Sequence, residues 1–403
     1  MTSAQRVLRI TGAHQAISGH GPSERESSLA ILVLLGGLDI GGAEYQAISL
    51  ASALQQRGHT VSIVSLKDGP LRSVVEQFGL PLEVLRRPLP FSPTAVPALV
   101  RTLRRTSPDI VYAFLDVQWL MALAARSLAP GARVVLGLRS SQYFQHVDGA
   151  RDRIVHQLTR RFSRFADLLI ANSLAGLEDF NRCAAGAPTG LVVPNGIDQT
   201  RFCRDLDARV ALRREWMVPP DGVVVGHVGR LDPVKDHETL IDAVAQTLRQ
   251  DSRIRLVCAG DGTPERLAAL RAHATSRGID DRVRFIGRRS DLPAVYSAFD
   301  VLALPSVREG FPSVVAEAML CGVPAVVTNT GASADIVGAL GEVVPCGDVN
   351  AFAAGLERLI VRRSAALSAR CRLHILADFT IDRCASLTSA ALLTLIPSTR
   401  RRQ

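Results

Sequence analysis

Two glutamates, Glu309 and Glu317, stand eight positions apart in EGFPSVVAE (309–317), with Gly310, Phe311 and Pro312 directly after the first. Carboxylates are strong acceptors for hydroxyl groups, so a pair held at one crevice can grip two sugars, or a sugar and a ribose. Two cations, Arg230 and Lys235, lie five apart in HVGRLDPVKDHETL (227–240). Such a pair can neutralise a diphosphate leaving group. Lys67 and Lys235 are the only lysines, although lysine and arginine together number 47. Where arginine replaces lysine almost everywhere, a retained lysine points to a need for a compact ammonium rather than a planar fork. Glycine supplies the third ingredient. GGLDIGGAE (36–44) carries Gly36, Gly37, Gly41 and Gly42, and GDG carries Gly260 and Gly262. Such turns let the backbone come close to a ligand, and a following helix N-terminus suits phosphate. FIGRR (285–289), with Arg288, offers further backbone groups to a base.

These residues need a scaffold that brings loop ends together. From residue 29 short apolar runs alternate with helical segments: LAILVLL (29–35), TVSIVSL (60–66), DIVYAFL (109–115), RVVLGLR (133–139), DLLIANS (167–173) and GLVVPNGID (190–198). A second series follows at 222–230, 254–262, 283–287, 301–306, 324–329 and 341–345, and 351–398 reads as helical. Strands alternating with helices imply mostly parallel sheets covered on both faces. The expectation is an α/β chain of two doubly wound units, joined near 196–216. The glutamates then lie where a strand ends and a helix begins, the ligand position of open α/β sheets.

The 403 residues and 47% hydrophobic content are ample for two cores, and the net charge of +9 is carried almost wholly by arginine. The seven cysteines are scattered and show no C-x-x-C spacing, which fits a reduced compartment without a zinc site. No apolar run reaches the roughly 20 residues of a spanning helix. Residues 1–28 are a poor signal peptide and read as a disordered leader.

The order GGAE, PNGID, GR-x4-K, GDG and E-x7-E resembles the retaining glycosyltransferases of family 4, over almost all of residues 30–390. The resemblance implies the GT-B fold: two facing Rossmann-like domains, with the last helix crossing back to the first. On that reading 29–198 is the acceptor-side domain, 199–378 binds the nucleotide sugar, and 379–403 is the returning helix and basic tail. Arg230 and Lys235 would hold the diphosphate, Glu309 the hydroxyls of the transferred sugar, and Glu317 the nucleotide ribose. Gly41 and Gly42 would approach the donor phosphates, with Gly260, Gly262, Arg288, Gly310 and Phe311 also on the donor side. A UDP- or GDP-linked sugar is expected as substrate, without a resident cofactor or metal. A glycan or lipid-linked acceptor is implied, in surface polysaccharide or glycolipid synthesis. The expected location is cytoplasmic, at the inner face of the cytoplasmic membrane.

The chain departs from the family in one place. Many relatives keep a histidine just after the strand equivalent to RVVLGLRSS (133–141); Arg139, Ser140 and Ser141 stand here, and His146 follows at a different spacing. Arg139 or His146 is left to meet the sugar, and no general base is assigned. The D-x-D string Asp205–Asp207 precedes a basic helix and reads as helix-start acids rather than a metal site. In RDRIVHQLTRRFSRFADLL (151–169), Ile154, Leu158, Phe162 and Phe165 recur at helical spacing among five arginines. A buried apolar stripe with a solvated basic rim is expected first; contact with anionic lipid head groups is the functional alternative. Nucleic acid is not indicated, because no base-reading motif accompanies the charge. Competing functions are a non-catalytic nucleotide-sugar-binding protein and another GT-B enzyme, such as an epimerase or glycogen-type synthase.

Overall fold

A computed structural model of the chain describes residues 7–8, 28–85, 94–141, 149–184 and 186–397. The chain forms two units, one of Met1–Gly196 with Ile381–Gln403, the other of Ile197–Thr380.

The first unit runs β1 (Val7–Leu8), β2 (Ala30–Leu35), α1 (Gly42–Gln56), β3 (Thr60–Ser65), α2 (Arg72–Gln77), β4 (Leu82–Val84) and α3 (Ala95–Thr106). It continues with β5 (Ile110–Phe114), α4 (Asp116–Leu128), β6 (Arg133–Leu138), α5 (Ala150–Phe162), β7 (Leu168–Ala171), α6 (Leu174–Cys183) and β8 (Gly190–Val192). The eight strands form one parallel sheet in the order β1-β8-β7-β6-β5-β2-β3-β4. Side chains of a strand alternate between faces, and β2 has all six residues buried. Accordingly Ile31, Val33 and Leu35 enter one core and Leu32 and Leu34 the other. A sheet clad on both sides therefore reads as an unbroken apolar run.

In the second unit α7 (Leu206–Glu215), β9 (Val223–Val228), α8 (His237–Thr247), β10 (Ile254–Ala259), α9 (Pro264–Ser276), β11 (Val283–Phe285) and α10 (Leu292–Ala298) come first. Then follow β12 (Val301–Leu304), α11 (Ser313–Leu320), β13 (Ala325–Thr328), α12 (Ser333–Val337), β14 (Glu342–Val344), α13 (Val349–Arg362) and α14 (Ala365–Asp378). Its six parallel strands are ordered β11-β10-β9-β12-β13-β14. The order reverses between β9 and β12, which makes their carboxyl ends the topological switch point. The last helix, α15 (Ile381–Leu393), belongs to the first unit. Its Cys384, Ala385, Leu387, Ala391 and Leu392 join the core under α1, and Ser389 Oγ lies 2.7 Å from His59 Nε2.

Three sequence expectations need correction. The first sheet has two strands beyond the six expected, β1 and β4, whose two and three residues are too short for alternation to register. Val7–Leu8 falls inside the expected leader and pairs with Gly190 and Leu191; the remaining residues of the leader, except Ser28, lie outside the described part. The run 190–198 is strand only to Val192. Finally, the apolar stripe of α5 is not buried. Val155, Thr159 and Ser163 face inward, while Ile154, Leu158, Phe162 and Phe165 are 57%, 39%, 41% and 49% exposed.

Candidate functional site

At the switch point of the second unit two loops meet, one after β9 and one after β12. The first leaves β9 at Gly229 and closes a 3-10 turn, Pro233–Lys235. Asp232 caps that turn by accepting from the Val234 N–H at 2.9 Å. Asp236 then sits in the left-handed region, φ 46°, and caps α8 through the Thr239 N–H. The second loop is tied to the first by the Val307 N–H, which donates to Val234 O at 2.9 Å. This tie brings together residues more than seventy positions apart: Lys235 Nζ donates to Glu309 Oε1 at 2.5 Å. Both side chains are largely buried, 19% and 11% exposed. Arg230 stands out in solvent, 79% exposed, with Asp232 at 3.5 Å.

The glycines explain how these loops pack. Gly260, φ +151°, lies against the turn after β9, and a Cβ there would fall 1.8 Å from Gly229 O. A Cβ at Gly262 would fall 2.5 Å from that of Leu231. The Leu231 N–H donates to Asp261 O at 2.7 Å. The GDG turn therefore shores up the Arg230 loop by backbone contact, a reason for both glycines that requires no ligand. Gly310 O accepts from Ala332 N–H at 2.8 Å, and Gly331, φ +54°, permits that approach. The Phe311 side chain is buried, with its ring 5.8 Å from Phe379, so any contact of this residue with a donor falls to its backbone. Arg288 is exposed on the loop after β11.

Glu317 has a different neighbourhood from Glu309. It is half-buried on α11, and its Oε2 accepts from the Tyr296 hydroxyl of α10 at 2.7 Å. Burial raises its carboxyl above the ordinary value, partly offset by the Tyr296 bond and the charge of Arg201. Glu309 is thus held by a cation and Glu317 by a phenol.

Sequence reasoning missed a histidine pair. His227, the fifth residue of β9, and His237, the first of α8, are 0% and 1% exposed. Their rings meet edge to face at 4.5 Å. His227 Nδ1 lies 2.9 Å from Ala303 O; its Nε2 and both nitrogens of His237 have no hydrogen-bond partner among the described residues. Burial, then the charges of Arg266 and Lys235, lowers His237 to about 4. Burial, then its partner ring, puts His227 well below the ordinary value. Two neutral rings therefore underlie the lysine turn. Their only sequence signal is position, one just before Gly229 and one just after Asp236.

In the first unit, Gly41 and Gly42 begin α1. A Cβ on Gly42 would meet nothing within 4 Å, and one on Gly41 only the flexible carboxylate of Glu44. Neither glycine is demanded by packing. Arg139 follows β6 and is tethered: Nη1 donates to Asn195 Oδ1 at 3.1 Å and Nη2 to the Tyr112 hydroxyl at 2.8 Å. Its guanidinium lies 4.8 Å from the centre of the Phe114 ring. Burial pushes the Tyr112 phenol up to about 12, so it stays a neutral partner. Asn195 of PNGID thus serves Arg139. His146 lies outside the described residues. Asp205 caps α7 through the Ala208 N–H at 2.8 Å, and Asp207 lies in its first turn, as the helix-start reading requires.

Comparison with known proteins follows the same division. Residues 222–362 match the family described as glycosyl transferases group 1, and residues 40–201 match glycosyltransferase family 4. The two matches take in three quarters of the chain. D-inositol 3-phosphate glycosyltransferase of Salinispora tropica is 36% identical over 214 residues, 48% of this chain and 44% of that protein. The chain thus spans about half the length of the curated relatives it matches first. The putative glycosyltransferase EpsF of Bacillus subtilis is 25% identical over 327 residues, 75% of this chain and 80% of EpsF. Among solved structures, HepE of Anabaena in complex with UDP is 26% identical, with a TM-score of 0.79 over 91% of this chain and 100% of that one. HepE has also been solved with UDP-glucose.

Proposed function

The chain belongs to the family 4, group 1 glycosyltransferases of GT-B fold, and we propose that it moves a sugar from a nucleotide diphosphate sugar to a glycan or lipid-linked acceptor with retention of configuration. The observation that carries this reading is the Lys235–Glu309 pair at the switch point of the second unit. Cation and hydroxyl acceptor stand together there, with exposed Arg230 on the same loop. The diphosphate takes Lys235 and Arg230, and Glu309, released from the lysine, accepts from hydroxyls of the sugar. Glu317 serves the ribose. At the start of α1, Gly41 and Gly42 leave room for a phosphate against a helix N-terminus.

In the reaction the bond from the anomeric carbon to the diphosphate oxygen breaks, and its electron pair goes to the phosphate. The acceptor hydroxyl bonds to the carbon on the same face and passes its proton to the departing phosphate oxygen. Arg230 and Lys235 stabilise the charge developing on that oxygen, and in this reading no divalent metal is required. HepE, solved with UDP and with UDP-glucose, supports a UDP-linked donor ahead of a GDP-linked one. Among the described residues no helix is long and apolar enough to cross a membrane. We place the protein in the cytoplasm, where nucleotide sugars are made, in surface polysaccharide or glycolipid synthesis.

The rival reading, a non-catalytic binder, has one observation in its favour: Arg139, standing where many relatives keep histidine, is tied to Asn195 and Tyr112. Incubation with UDP-sugars and GDP-sugars, reading nucleotide diphosphate released, separates the two. Slow release without acceptor, abolished in Lys235→Ala, supports transfer. Saturable donor binding with no release above the blank, with or without glycan or lipid-linked acceptors, makes the protein a binder.

A further inference from the structure

The outward face of α5 and the turn after it points to a partner that the donor site does not explain. Ile154, Leu158 and Phe162 recur every four residues and Phe165 three later, and all four are between 39% and 57% exposed. The Phe162 and Phe165 rings lie 6.2 Å apart and form one apolar ridge. The inner face is buried separately. Val155, Thr159 and Ser163 are buried, and His156 Nε2 lies 3.1 Å from Asp116 Oδ2 at the start of α4. The ridge is therefore not a core face turned slightly outward but a second apolar face, exposed among the described residues.

Its charge says what covers it. Arg153, Arg160 and Arg164, at spacings of seven and four, line one flank, and Arg161 sits between that row and the ridge; all are exposed. The Arg164 guanidinium lies 4.8 Å from the centre of the Phe165 ring, and Arg160 Nε donates to Cys183 O at 2.8 Å. Residues 150–165 hold five arginines against the single acid Asp152. Two copies of such a face repel each other. An anionic surface with an apolar layer beneath it meets both features, since arginine stems lie along apolar surface while their heads stay among phosphates.

We propose that α5 and the turn to Phe165 dock the protein flat on an anionic lipid bilayer, with Ile154, Leu158, Phe162 and Phe165 entering the boundary of head groups and acyl chains. No spanning segment is involved. The docking is independent of the donor chemistry proposed above, and its test reads it separately.

The test is co-sedimentation of the full chain with vesicles of phosphatidylcholine alone or with one quarter phosphatidylglycerol. Binding is expected to the anionic vesicles, to fall at least tenfold between 0.1 and 0.5 M salt as the charges are screened, and to be weak on phosphatidylcholine alone. Each basic residue near such a surface contributes about 1 kcal/mol, about fivefold, so Arg153→Gln, Arg161→Gln and Arg164→Gln combined lower binding about a hundredfold. Phe162→Ser with Phe165→Ser, by removing the inserted side chains, lowers it at both salt concentrations. These are surface positions, and an unchanged thermal melt and unchanged UDP binding certify the fold. Equal binding to both vesicle types, or undiminished binding in folded variants, overturns the proposal. So does a dimer in sedimentation equilibrium that Phe165→Ser dissolves, because the ridge then belongs to a second copy. UDP binding without vesicle binding would sink the surface and leave the donor reading standing.

Discussion

Lys235 Nζ and Glu309 Oε1 are 2.5 Å apart, so the cation assigned to a diphosphate is already neutralised by the carboxylate assigned to a sugar. A largely buried pair of this kind is destabilised most when one partner is removed and the other charge remains. A donor that brings both an anion and hydroxyls satisfies the two partners at once. Free nucleotide diphosphate engages the lysine but brings no transferred sugar whose hydroxyls could replace the lysine at the glutamate.

That asymmetry gives the first prediction. Glu309→Gln frees Lys235, so free UDP should bind as tightly as to wild type or tighter, while sugar transfer falls strongly. Lys235→Ala and Arg230→Ala should weaken UDP and donor alike. Arg230 is 79% exposed, and its loss should leave the melt unchanged. A charge-assisted hydrogen bond is worth roughly 1.5–3 kcal/mol, or about tenfold to a hundredfold in affinity. Calorimetric titration of UDP reads the difference. Weaker UDP binding in Glu309→Gln would mean that the glutamate orders the lysine rather than competing for it.

Glu317 should behave differently. Its carboxyl is raised above its ordinary value of 4.5 by burial. A raised group contributes stability that is full below the unfolded value and is lost as pH rises through the folded one. The Glu317 contribution should therefore shrink as pH climbs above 4.5, so the stability of wild type relative to Glu317→Gln, which keeps an acceptor for the Tyr296 hydroxyl, should fall as pH rises from 4 to 7. The same variant should weaken UDP and donor by similar factors if the ribose binds there, raising KM more than it lowers kcat. Melts across that pH range, with UDP titration at pH 7, test both halves. Parallel melts with unchanged UDP binding would leave Glu317 a packing residue.

The extent to which the sequence revealed these details follows from physical range. Alternation and apolar runs placed the long strands, because a strand buried on both faces is a local property. The loop positions of Glu309 and Lys235 were legible because each follows a strand at the switch point. The Tyr296–Glu317 bond was not, since it depends on how α10 packs on α11. Nor was the burial of Phe311, since periodicity is silent in a loop. On α5 the periodicity was read correctly, but a helix with an inner row of Val155, Thr159 and Ser163 hides its true core face behind small and polar side chains. The larger apolar stripe is the one left outside.

Asp300 provides a stability test away from the ligand. Burial alone would raise its carboxyl, but Arg209 at 2.7 Å, Arg213 at 2.8 Å and the Val224 N–H at 2.8 Å outweigh that and hold it below its ordinary value of 3.8. A lowered carboxyl contributes stability above the unfolded value and loses it as pH falls through the folded one. Its contribution is therefore constant from pH 5 upward. Asp300→Asn leaves Arg209 and Arg213 partly buried without their counter-charge, and should cost roughly 3–5 kcal/mol. Urea unfolding at pH 7 measures it, and KM for the donor should not change. A loss below 1 kcal/mol would show that solvent compensates the arginines.

The histidine pair makes the last prediction, and it concerns acid. His237 is 1% exposed and faces the ring of His227, while Arg266 and Lys235 bring positive charge to it. Arg266 is itself paired with Glu238, and His227 is set by Ala303 O, so no carboxylate among these neighbours is free to receive a proton's charge from His237. Its folded value of about 4 lies below the ordinary 6.5. For a histidine lowered on folding, the unfolded chain takes the proton first; stability is full above 6.5 and drains as pH falls toward 4. At about 1.4 kcal/mol per unit, the interval is worth about 3 kcal/mol from His237 alone. His237→Leu fills much of the same space with no proton to accept. Urea midpoints at pH 7, 5.5 and 4.5 should fall more steeply for wild type than for the variant, although the variant starts lower if edge-to-face packing is lost at pH 7. Identical pH slopes in the two proteins would show that the pair is solvated in the folded state, and that the neutral floor beneath Lys235 does not exist.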